Sequence, residues 1–234
     1  TNNAMNHHHG VQTSERFGAG VDADQDGKAD EMGPGDVTAT TIFQATMQVP
    51  GRVLPTDSAG LAVVNHGEQL FASYGCATCH VPFLRLDSSM FSEPGPFNPA
   101  GNLRPQDVSA PFVVDLTTSP AKPQLGKEPD GSVLVPLFSD LKRHDMGPNL
   151  NNETLVQSGV PTTHWLTKKL WGFASEPPFL HHGRATLISE AILAHGGEGQ
   201  AARDMFANAS PTDQSDLVAF LKTLRVLPEG ATTT

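Results

Sequence analysis

The clearest hydrophobic pattern lies near the end of the chain, in SPTDQSDLVAFLKTL, where Leu217, Val218, Phe220, Leu221 and Leu224 recur at helical spacing. Ser210 stands where an N-cap belongs, Pro211 takes the first helical position and Asp213 sits where a capping box has its acid, so this spacing predicts a helix from Pro211. A second stripe, within Glu68 to Tyr74, puts Leu70, Phe71 and Tyr74 on one face and runs straight into GCATCH. A third, TLISEAILA, aligns Ile188, Ala191, Ile192 and His195, with Thr186 as its cap and Gly196-Gly197 to end it. Elsewhere the pattern weakens. PGDVTATTIFQATMQVPGRVLP fits a strand or a short helix around Phe43 equally well. Residues 82–140 hold ten prolines and few helix signals, with a turn at Pro129-Asp130-Gly131 leading into a strand.

The stretch YGCATCH carries both cysteines of the chain and a histidine behind the second. Three chemistries compete for it. A redox dithiol of this spacing usually opens a helix after a buried strand, and nothing before Tyr74 reads as one. A structural zinc site needs four ligands, and with no further cysteine histidines would have to complete it. Covalent haem c uses every element: Cys76 and Cys79 would join the two vinyl groups, and His80 would turn its imidazole to the iron. The other axial position then decides the function. An open position binds peroxide or oxygen, whereas two strong protein ligands suit single-electron transfer. His195, on the apolar stripe of its helix, is the candidate from position alone, against the plainer reading of a core histidine at a helix end.

Composition narrows the setting. A net charge of −10 argues against nucleic acid and anionic membranes and favours a basic redox partner. No apolar run approaches the ~18 residues of a membrane span. The sequence starts at Thr1 without a leader-like segment, as expected of a processed product. His7, His8 and His9 are a solvated cluster, a remnant of cloning, or ligands to a metal or to a haem in a partner. In DADQDGKADE, Asp22, Asp24, Asp26, the Lys28 carbonyl and Asp30 match the first nine places of an EF-hand loop. Its twelfth place is Gly33, so Ca2+ would need Glu31, Asp36 or a partner to close the site.

GCATCHVPFL, SDLKRHDMGPNL, LWGF, PPFLHHGRATLISEAILAHGGEG and the final helix string, in that order, resemble the C-terminal haem domain of the di-haem oxidoreductases related to bacterial di-haem cytochrome c peroxidases and the MauG proteins. The resemblance spans roughly residues 35 to 228 and implies electron transfer or peroxide reduction. His181 occupies the place fourteen residues before the distal ligand of the electron-transfer haem, so His195 falls where the peroxidases have Met and MauG has Tyr. Met146 is the rival ligand, His181 is expected to hydrogen-bond beside the ligands, and Arg184 to stand near a propionate. This family carries two haems, but the sequence holds one attachment motif. The expectation is therefore a mainly α, cytochrome c-type haem domain over residues 51–228, with a loop-rich insertion at 82–140. An irregular N-terminal extension at 1–50 would carry the candidate calcium loop, and 229–234 would form a tail. One haem c would make it the electron-relay half of a di-haem assembly, in the periplasm or outside the cell, beside a second haem-bearing domain or chain. The alternative is a cytochrome c peroxidase-type enzyme reducing hydrogen peroxide.

Overall fold

The computed structural model describes residues 1–118, 123–151, 153–157, 159–228, 230 and 231; most of the tail expected at 229–234 lies outside them. The chain forms two compact units, residues 1–48 with 87–133, and residues 49–86 with 134–234.

In the first unit, α1 (Asn2–His9), α2 (Ser14–Phe17) and α3 (Pro34–Thr46) precede an antiparallel ribbon. Its strands, Met90–Glu93 and Phe112–Asp115, pair in register from Met90 opposite Asp115 to Glu93 opposite Phe112. The segment around Phe43, compatible by pattern with either strand or helix, is helical: Pro34 takes the first position of α3, and the Asp36 carboxylate accepts the Gly33 N–H at 3.1 Å. His7, His8 and His9 make the exposed last turn of α1. Polar groups hold this unit inside. Asn2 and Thr13 are fully buried, and Glu15 accepts from the Asn2 side chain at 2.7 Å and the Leu103 N–H at 3.2 Å. Glu31 accepts the Gln12 N–H at 2.6 Å, which satisfies a backbone donor that burial would otherwise leave unpaired.

The second unit is built on two crossing helices, α4 (Ser58–Ser73) and α7 (Pro211–Leu221), with the short α5 (Ile188–Leu193) and α6 (Gln200–Ala207) beside them. Asp57 caps α4 by accepting the Gly60 N–H at 2.8 Å, and Ser210 caps α7 by accepting from Asp213 at 3.1 Å. Where the helices cross, a Cβ on Gly67 would lie 2.0 Å from the Asp216 carbonyl oxygen, so only glycine permits this approach. Phe71, Phe138, Phe220, Leu217 and Leu221 form the buried core around the crossing, the Phe71 and Phe220 rings 5.3 Å apart. Each such side chain contributes about 2 kcal/mol of burial free energy. His66 Nδ1 lies 2.8 Å from Asp216 Oδ2 and ties the same two helices. Short ribbons complete the unit: Gly51–Arg52 with Leu224–Arg225, and Arg143–Asp145 with His164–Leu166.

The mainly α expectation does not hold. Helix makes up 36% and strand 14%, the strands arranged in small antiparallel sheets, so the class is mixed α/β. Nor is the N-terminal region irregular, since it holds three helices. Strands of two to four residues are too short for alternation to show in a sequence, and α1 to α3 lack the wide apolar stripe that marks a helix packed on an apolar core. Among the described residues, no helix is long and apolar enough to cross a membrane.

Replacing Gly67 by Ala should cost about 3 kcal/mol in urea unfolding, because α4 and α7 must part to admit the methyl group. Gly35→Ala, on α3 with open space around it, should instead be neutral or stabilising by up to about 1 kcal/mol.

Candidate functional site

Helix α4 stops at Tyr74, and Gly75, at φ 86°, turns the chain through the left-handed region into a single 3₁₀ turn at Cys76–Thr78. The His80 N–H then donates to the Cys76 carbonyl at 3.0 Å. Both cysteines are free thiols. Burial pushes Cys76 up to about 11, and burial with the nearby Asp140 and Glu198 also raises Cys79. Thiols kept protonated at neutral pH are poor redox nucleophiles, which counts against the dithiol chemistry. Zinc lacks its donors too. Among the described residues, the one group of three or more His, Cys, Asp or Glu ligand atoms gathered at metal-binding spacing is Asp22, Asp24 and Asp26.

His195 follows directly on α5, one residue past its C-cap Ala194, and keeps helical spacing through a 2.8 Å hydrogen bond from Nδ1 to the Ala191 carbonyl. Thr186 does not cap this helix; Glu190 does, accepting from the Thr186 N–H at 2.9 Å and the Leu187 N–H at 3.0 Å. His80 has a parallel anchor, Nδ1 to the Phe138 carbonyl at 3.1 Å. A ring whose Nδ1–H donates to a carbonyl carries its lone pair on Nε2, the form that ligates iron. Burial pushes His80 down to about 4 and lowers His195 as well, so both stay neutral at physiological pH. Their ring centres stand 6.4 Å apart. Two metal–nitrogen bonds of about 2 Å, with about 1 Å from each nitrogen to its ring centre, add to about 6 Å.

Both rings and both cysteines line one cavity of about 650 Å³, a volume suited to a cofactor. Phe71, Phe173, Phe179, Ile188, Leu217 and Leu221 supply much of its apolar wall. The residues present therefore fit a haem: two thiols, two neutral imidazoles 6.4 Å apart and a largely apolar chamber. Lys168, Lys169 and Arg203 also line it and supply positive charge, with Lys169 held by Glu176 and the Trp171 carbonyl, each at 3.0 Å. Sequence reasoning missed these cations and the aromatic wall of Trp165, Phe173 and Phe179. Arg203 lies on α6 and Trp165 on the three-residue strand His164–Leu166, whose contacts the sequence does not show. The LWGF and PPFLHHGR strings contain Phe173 and Phe179 without marking them as cavity residues.

Met146 lines the cavity beside His195, its methyl 3.1 Å from where a Cβ on Gly199 would lie. His181 packs its ring on Trp165, centres 4.5 Å apart, and hydrogen-bonds Glu153. Arg184 donates to the Asn149 carbonyl at 3.0 Å and is not among the cavity-lining residues. His144 sits between Asp140, 2.9 Å from Nε2, and Glu198, 2.8 Å from Nδ1. Those two contacts raise its proton affinity. Burial alone would raise Asp140, but the Lys142 amide, His144 and Thr167 outweigh it and hold the carboxyl at about 2.

In the first unit, the oxygens of Asp22, Asp24 and Asp26 come within 4.8 Å of one another. Asp30 turns elsewhere: its carboxylate accepts from the Ser14 hydroxyl at 2.8 Å and the Gly20 N–H at 3.0 Å. Lys28 contributes its N–H to Asp26 at 2.8 Å.

Residues 128–224 match the family described as "di-haem oxidoreductase, putative peroxidase", consistent with a di-haem oxidoreductase family domain over that stretch. The match takes in Met146, His181, Arg184 and His195 but begins after Cys76, Cys79 and His80. It is narrower than the span of the sequence resemblance, and it supports haem binding and a redox function in general. No curated protein and no solved structure matches the chain.

The hydrogen bonds from Leu187 and Thr186 lower the Glu190 carboxyl from its ordinary 4.5. Its stabilisation of α5 is therefore complete above that value and lost as pH falls through the lower folded one. In thermal melts, the deficit of Glu190→Gln relative to the unmodified chain should shrink as pH drops from about 5 to about 3.

Proposed function

We propose that this chain is a c-type cytochrome that passes single electrons through one covalently attached haem. The reading rests on one observation above the others: His80 and His195, each fixed through Nδ1 to a backbone carbonyl, stand 6.4 Å apart in the cavity that both cysteines line. Cys76 and Cys79 would hold the haem through thioethers, and His80 and His195 would ligate its iron. When bound, the haem supplies the one-electron ferric–ferrous couple. The rest is the work of the chain. The Phe138 and Ala191 carbonyls orient the two imidazoles, burial keeps both unprotonated, and the aromatic wall excludes water. Lys168, Lys169 and Arg203 are better placed than Arg184 to meet the propionates. Met146 stays the rival ligand, set behind His195 by the shared anchoring of the two imidazoles.

The relay is proposed to work with a second haem-bearing domain or chain, since the matched family is di-haem and this sequence has one attachment motif. Attachment of haem c implies a periplasmic or extracellular setting, and the acidic surface suits a basic redox partner. Calcium is a separate part of the proposal: Asp22, Asp24 and Asp26 bring carboxylate oxygens within 4.8 Å of one another, and carbonyl oxygens and water would complete the six to eight oxygens the ion takes. The competing reading, peroxide reduction, draws on the description of the matched family. It requires an axial position that opens.

Visible spectra and intact mass test the proposal. The purified protein should carry the mass of one haem and show a six-coordinate low-spin spectrum. His195→Gly should abolish that signature, and Met146→Ala should keep it. Loss only in the Met146 variant would reassign the ligand, a peroxide-dependent Soret shift in a high-spin protein would favour the peroxidase, and a colourless protein would end the haem reading.

A further inference from the structure

The two imidazoles sit on segments far apart in sequence, and α5, which leads to His195, has only six residues. So short a helix is marginal in isolation, which means that His195 depends on contacts beyond its own helix for its place. On the His80 side, the segment 138–140 is built onto the attachment turn: besides the Phe138 carbonyl on His80, the Ser139 N–H donates to Val81 at 3.0 Å and the Asp140 N–H to Cys79 at 2.9 Å. On the His195 side, Glu198 belongs to the 3₁₀ turn Gly197–Gly199 that follows the histidine. His144 spans the two. Its Nε2 meets Asp140 at 2.9 Å and its Nδ1 meets Glu198 at 2.8 Å, while the second oxygen of Glu198 accepts the Asp145 N–H at 2.9 Å. Backbone packing reinforces the junction. A Cβ on Gly197 would lie 2.2 Å from the Asp145 carbonyl oxygen, and one on Gly147 would lie 2.7 Å from the Gly197 nitrogen.

We propose that Asp140, His144 and Glu198 form a clasp that holds the His195 end of the cavity against the His80 end, fixing the spacing of the imidazoles and keeping the axial position shut to outside ligands. All three are positioning residues, acting through the segments that carry the histidines. This inference rests on the bis-histidine haem proposed above. It deepens that reading by naming what decides between a closed relay and an iron open to small ligands. With the clasp cut, His195 spends part of its time away from the axial position, and an external ligand competes in proportion to that open fraction.

The test compares carbon monoxide binding to the reduced holoprotein in the unmodified chain, Glu198→Ala, Glu198→Gln and His144→Gln. The Glu198 side chain is largely exposed, so its replacement leaves the core intact. Glu198→Ala and His144→Gln should raise the rate and extent of carbon monoxide binding roughly ten-fold or more, with Glu198→Gln between them and the unmodified chain because its amide oxygen still takes the Asp145 N–H. Melting temperatures measured in parallel separate the roles: a merely structural contact lowers the melting point and leaves carbon monoxide binding unchanged. A six-coordinate parent whose Glu198→Ala and His144→Gln variants bind carbon monoxide no faster would overturn the clasp alone. An unmodified protein already five-coordinate would overturn the bis-histidine reading and the clasp with it.

Discussion

The crossing of α4 and α7 at Gly67 governs the second unit. With no side chain at that point, the two backbones approach within contact, and Phe71 and Phe220 meet at 5.3 Å. Phe71 serves twice, since it belongs to the buried core and also walls the cavity, its ring 6.4 Å from that of His80. The contact that closes the core therefore also places the end of α4, from which the Gly75 turn launches Cys76, Cys79 and His80. His66 and Asp216 add register across the same crossing, because a mostly buried carboxylate is tolerable only with a partner.

The four groups that could hold a cofactor are neutral, while charged side chains, Lys168, Lys169, Arg203, Glu176 and Glu198, line other parts of the same cavity. Burial holds both imidazoles and both thiols in their neutral forms, so four donors face an apolar chamber at no ionic cost. The charged groups that accompany them, Asp140 and Glu198 about His144 and Glu176 about Lys169, are each matched by a partner of opposite sign or by hydrogen bonds. Neutral donors beside an apolar wall suit a bound cofactor, with the orientation of each imidazole set by the hydrogen bond its ring makes.

A different logic holds the first unit. Its acidic residues are not all solvated: Glu15 and Glu31 reach inward to satisfy buried N–H groups, and Glu93, itself buried, takes the Asn98 amide at 3.2 Å. Asp30 behaves in the same way on the surface, engaged by Ser14 and Gly20 instead of facing the neighbouring aspartates. A fold held by polar acceptors leaves no hydrophobic stripe, and for that reason the region reads as irregular in sequence.

Local chemistry was legible in the sequence wherever a short stretch carries its own constraint. The caps and stripe of α7, the turn at Gly131, and the adjacency of Cys76, Cys79 and His80 all arise within a few residues, where spacing dictates geometry. The tertiary structure decided what depends on partners distant in sequence: the mixed class, the polar interior of the first unit, the cations and aromatics around the cavity, and the turning of Asp30 away from its loop. It also supplied the Phe138 and Ala191 carbonyls that orient the two imidazoles. The division follows from the range of the forces. Backbone propensity and capping act over one turn of chain, whereas a cavity exists only after residues some 120 positions apart, such as Phe71 and Ala191, have packed together.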